Sequence, residues 1–156
     1  MEMNSKTIEQ YKFYRLYEHD FDNAIHTLKI LKRYKKVDAR HALLRDIIVT
    51  YARPFSVSYG IEIPKHILSP KLVPSHSKAI HEELLNVRNQ LFAHTDLLYK
   101  NPKVVKWDLG RYKRFPMSFK GYDYNQLNRR VDEITNLVYA VQEELRRKIR
   151  EIEGDL

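Results

Sequence analysis

The stretch DYNQLNRRVDEITNLVYAVQEELRRKIREIEG, residues 123–154, decides the fold class. Leu127, Val131, Ile134, Val138, Val141, Leu145, Ile149 and Ile152 recur every three or four positions, which predicts one long helix with a single apolar face. Asp123 and Gln126 have the spacing of a capping box, and Gly154 suits a left-handed close of the last turn. Working back, Phe21, Ala24, Ile25, Leu28 and Leu31 form a second stripe, with Asp20 placed to cap it. Ile8, Tyr11 and Leu16 before it are either a separate helix or the early turns of the same one. Asp38 introduces Leu44, Ile47, Ile48 and Tyr51, and Pro54 ends that helix by removing a backbone donor and restricting Arg53. From Ser77, Ile80, Leu84, Val87, Leu91 and Leu98 mark a further helix.

Two segments interrupt this pattern. Residues 53–75 hold Pro54, Pro64, Pro70, Pro74 and Gly60, so a long connection is expected there, of the kind that walls or covers a site. Residues 100–120 carry Lys100, Lys103, Lys106, Arg111, Lys113, Arg114 and Lys120 against a single acid, Asp108. Interleaved with these cations are Trp107, Tyr112, Phe115 and Phe119. Cations can pair with phosphates while rings stack on bases, so Lys106, Trp107, Arg111, Lys113 and Arg114 are candidate substrate contacts on a single-stranded nucleic acid. The competing reading is a solvated loop whose rings plug into the helices. The expected architecture is all-α, one domain over residues 1–156: a four- to five-helix antiparallel bundle with a long Pro-rich connection and a basic-aromatic loop before the last helix.

Composition narrows the chemistry. The chain has 156 residues and a formal charge of +8, much of it from residues 100–120. With no cysteine there is no disulfide, no thiolate nucleophile and no sulfur-ligated zinc. Only four glycines are present, and no phosphate-cradling glycine loop or nucleophile elbow occurs. His76 and His81 are five apart and diverge on a helix, so neither a metal nor another cofactor is expected. No apolar run reaches the roughly 20 residues of a membrane span, and the first ten residues are polar, which leads to the expectation of a cytoplasmic protein without membrane contact.

What remains is Leu85-Asn86-Val87-Arg88-Asn89-Gln90-Leu91-Phe92-Ala93-His94-Thr95-Asp96. This segment resembles the motif of the HEPN superfamily: an arginine, commonly followed by a polar residue such as asparagine, then a histidine after four to six intervening residues. Arg88, Asn89 and His94 fit with five between, and Arg-Asn-x-x-x-Ala-His-x-Asp is similar to abortive-infection and toxin-like branches. The resemblance covers about a dozen residues. It implies metal-independent RNA cleavage with Arg88, Asn89 and His94 as the catalytic group, a homodimer with two motifs facing across a shared cleft, and an antitoxin partner. The side chains suit this: imidazole exchanges protons near neutrality, and guanidinium offers a fixed fork to phosphate. On a regular helix, six steps put His94 roughly 120° from Arg88 and about 9 Å along the axis. Arg88 must reach past Ala93, the helix must distort, or a second subunit must supply the other half. Arg53, where helix gives way to the Pro-rich connection, is a candidate second phosphate contact or a structural cap. The other class of function is a non-catalytic helical domain binding RNA, a nucleotide or a partner protein.

Overall fold

A computed structural model describes residues 4–92 and 97–155. Helix α1 spans Ser5–Leu31, with the Asn4 side chain accepting from the Lys6 amide at 3.0 Å. Its buried stripe Phe13, Tyr17, Phe21, Ala24, Leu28, Leu31 passes unbroken through Asp20, so the segment is one helix. Asp20 is therefore not a cap, and Leu16, on the flank of the stripe, is 62% exposed. Helix α2 spans Val37–Ala52; Asp38 lies in its first turn, where a negative charge complements the helix dipole, without serving as the cap. A single 3-10 turn, Arg53–Phe55, finishes it at Pro54.

The helices pack antiparallel. Thr27 donates to Asp46 at 2.8 Å and the Phe21 ring lies 5.9 Å from that of Tyr51, so α2 runs back along α1. The final segment divides into α5, Tyr124–Arg129, and α6, Val131–Gly154. Tyr11 donates to Glu153, Arg146 to Glu18 and Gln142 to Asp22, while Lys32 pairs with Asp132: partner numbers fall as α1 numbers rise. The expected single helix over 123–154 breaks at Arg130, whose guanidinium binds Glu83 and Glu133. Asp123 does cap, accepting from Asn125 rather than from the amide of Gln126, and Gly154 stays within α6 instead of closing it left-handed.

Helix α3, Lys78–Val87, packs Ile80, Leu84 and Val87 inward together with one polar group, His81, whose Nδ1 lies 2.7 Å from the Tyr51 hydroxyl. Burial holds the His81 pKa below that of a free imidazole. Because the folded pKa is the lower one, the stability this residue carries is complete above about pH 6.5 and is lost as pH falls from there toward the folded pKa. His81→Gln, able to keep a hydrogen bond to Tyr51, should flatten the fall in melting temperature between about pH 7 and about pH 5.

The Pro-rich connection is a packed wall and not an open loop. Ser58 and His66 exchange two backbone hydrogen bonds of 2.8 Å, and Leu68, Leu72 and Val73 are buried in the core. Glu9 on α1 accepts from the amides of Ile61 at 2.8 Å and Ile63, which holds its carboxyl below the usual range. Gly60 makes this approach feasible: a Cβ there would stand 2.8 Å from the Ile63 carbonyl and 2.9 Å from both the Glu9 carboxyl and the Phe13 ring. Any side chain would push the wall off α1.

The basic-aromatic segment is also not a loop. After a short helix α4, Leu97–Lys100, Asn101 adopts a left-handed conformation at φ 42°, a position asparagine tolerates, and the chain enters strands. Strand β1, Lys103–Val104, pairs antiparallel with β4, Met117–Ser118, and β2, Trp107–Asp108, with β3, Lys113–Arg114. The fold is thus mostly helical with two small antiparallel ladders.

Candidate functional site

Arg88 begins a departure from α geometry. Residues Arg88–Phe92 form a π turn, a wider coil found in single turns and often at functional sites. The projection of His94 onto a regular helix therefore fails at its first residue. His94 itself lies outside the described residues.

The Arg88 side chain lines a cleft of about 480 Å³. Tyr17, His19 and Asp20 on α1 form one side, and Arg53, Ser56, Ser58 and Tyr59 of the connection form the other. The fold brings together two arginines 35 positions apart. Their electrostatic situations differ. Arg53 pairs with Asp20 at 3.5 Å, and burial raises the Asp20 carboxyl above its usual range while the Arg53 charge opposes that shift. Arg88 has no carboxylate within 4.0 Å among the described residues; its Nη1 donates to the Asn89 side-chain oxygen at 2.9 Å. Glu83, five residues before Arg88 in the chain, pairs with Arg130. A guanidinium with no carboxylate partner among the described residues favours an anion.

The floor of the cleft is aromatic. The Tyr17 hydroxyl lies 2.9 Å from His66 Nδ1, and Phe13 stacks on the His66 ring at 4.7 Å. Burial raises the Tyr17 hydroxyl pKa and lowers that of His66, so both are neutral near pH 7. Three groups in the cleft were missed as site residues by the sequence reading: His19, Asp20 and Tyr17. Asp20 looked like a cap, and Tyr17 and His19 carried no local signal; only the closure of the connection over α1 makes them a wall.

The other candidate residues lie elsewhere. Trp107, Lys113 and Arg114 are on the strands, Lys106 and Arg111 lie between strands, and none lines the cleft. Their rings do not plug into the helices: Trp107 is 53% exposed and Tyr112 59%. The cluster Arg146 to Arg150 on α6 is spent on ion pairs with Glu18, Asp22, Glu144, Glu151 and Glu143. Among the described residues no group of three or more histidines and carboxylates could hold a metal ion, and no helix is long and apolar enough to cross a membrane. The chain matches no family model, no curated protein and no solved structure.

Proposed function

We propose that this chain is a metal-independent endoribonuclease of HEPN type, with Arg88 and His94 as its catalytic pair and a helical bundle of that family as its frame. The observation that carries the reading is Arg88, with no carboxylate within 4.0 Å among the described residues, in a cleft it shares with a second arginine. In this reading the scissile phosphate binds at the Arg88 guanidinium. Arg88 stabilises the charge growing on its oxygens, with Arg53 as a second contact and Asn89 holding the Arg88 fork in orientation. His94 takes the proton from a ribose 2′-hydroxyl; the 2′-oxygen bonds to phosphorus, the bond to the 5′-oxygen breaks, and the leaving oxygen receives a proton. The products are a 2′,3′-cyclic phosphate and a free 5′-hydroxyl. DNA, lacking the nucleophile, is not cut.

Two copies meeting at the motif would bring a second Arg88 and His94 to a shared cleft, and an antitoxin covering that cleft in the cytoplasm would restrain it. The exposed strands favour a second reading, a non-catalytic RNA-binding domain, for which cations and rings suffice. Incubation of the wild type, Arg88→Ala and His94→Ala with mixed RNA in EDTA decides between them. Cleavage with cyclic-phosphate ends by wild type only supports the nuclease; cleavage that survives loss of His94 defeats the mechanism, and no cleavage by any form leaves the binding domain.

A further inference from the structure

The two ladders are one hairpin. Lys103 opposes Ser118, Val104 opposes Met117, Trp107 opposes Arg114 and Asp108 opposes Lys113, so the register never slips between them. The Leu109 amide donates to the Tyr112 carbonyl at 3.0 Å, leaving Gly110 and Arg111 as a two-residue turn. Gly110 sits at φ 79°, the positive value that tight hairpin turns require at the first turn position. At the base the Lys120 amide donates to the Lys100 carbonyl at 2.7 Å. Pro116, which cannot donate, accepts from Val105 and stands where the ladder is interrupted.

Cross-strand partners share a face and successive residues alternate. The constant register therefore puts Lys103, Val105, Trp107, Leu109, Tyr112 and Arg114 on one face. The Arg114 guanidinium lies 5.9 Å from the centre of the Tyr112 ring, as this sidedness requires. Lys106, Lys113 and Phe115 lie on the other. All four strands are exposed on both faces. A two-stranded ribbon alone is marginal in water, so a hairpin this apolar and uncovered gains from a partner.

Charge selects that partner. Residues 100–120 hold seven cations and one acid, whereas the remaining residues are close to balanced, with 21 basic and 19 acidic groups. A second copy would bring another cationic hairpin, and the charges of its remaining residues nearly cancel. We propose that the hairpin is an arm that holds single-stranded RNA, its Trp107 and Tyr112 rings stacking on unpaired bases while Arg114, Lys103 and the cations of the opposite face engage phosphates. This rests on the endoribonuclease reading for the choice of RNA, and names single strands as the substrate class, because rings of this kind need bases free of a duplex.

The test uses the full chain and a short fluorescent single-stranded RNA fully 2′-O-methylated, which lacks the attacking hydroxyl and reports binding alone. The same strand annealed to its complement, and anionic phosphatidylserine vesicles, are the competitors. Single strand should bind at least about 10-fold tighter than duplex, and the exposed double variant Trp107→Ala/Tyr112→Ala should weaken binding about 10-fold or more with its helical circular dichroism unchanged. Lys113→Ala/Arg114→Ala should weaken binding and reduce its salt dependence between about 50 mM and about 200 mM. Ring variants within about two-fold of wild type, equal binding of duplex, or displacement by vesicles would each overturn the arm. If no form cleaves RNA yet the ring variants lose binding, the arm stands and the nuclease falls.

Discussion

Arg88→Ala is expected to lower the rate of RNA cleavage by about 100- to 1000-fold, the loss typical of removing one preorganised donor from a developing oxyanion. Its effect on folding should be small, since the side chain makes one hydrogen bond, to the neighbouring Asn89, and no ion pair among the described residues. The unfolding midpoint in urea should stay close to wild type while single-turnover cleavage collapses. Arg88→Lys should recover little, because an ammonium keeps the charge without the planar fork that grips two phosphate oxygens. His94→Ala should cost about 100- to 10,000-fold and also remove the pH dependence near neutrality that a proton-exchanging imidazole imposes. If Arg88→Ala instead cleaves within a few-fold of wild type, the cleft is not where the phosphate reacts.

Phe21→Ala should destabilise the fold by about 3–5 kcal/mol, the cost of a large apolar ring removed from a full core. Phe21 has no solvent exposure and packs against the rings of Tyr51 at 5.9 Å and Phe55 at 6.3 Å. Those contacts tie α1 to the end of α2 and to the turn that carries Arg53. The loss should exceed that of an ordinary surface change several-fold in urea denaturation, and Phe21→Leu, which refills much of the space, should recover more than half of it. An effect of Phe21→Ala below about 1 kcal/mol would mean the ring is not wedged as the structure places it.

Helix stripes were legible because burial imposes its spacing directly on composition. Ile47, Ile48, Ile134 and Val138 are all fully buried where periodicity put them. What the sequence did not disclose depends on tertiary partners. Asp20 has a residue type that caps helices, but the stripe running through it keeps α1 continuous. The last helix breaks at Arg130, whose guanidinium is held by Glu83, 47 positions away, and by Glu133. The hairpin hid because its strands lack a clean apolar and polar alternation: neither face is buried, so nothing selected for one. Arg53 and Arg88 each stood out locally, and their shared cleft did not, because it exists only once the connection folds back over α1. His94 stands with the motif by spacing alone and lies outside the described residues.

The Glu9 clasp on Ile61 and Ile63 ties the far wall of the cleft to the opening turns of α1. Fraying at that end of the helix and release of the wall are therefore one cooperative event instead of two. An occupant gripped between Arg53 and Arg88 would be felt at the chain's beginning, as slower deuterium uptake by the amides of Lys12 and Phe13 and of the clasped isoleucines.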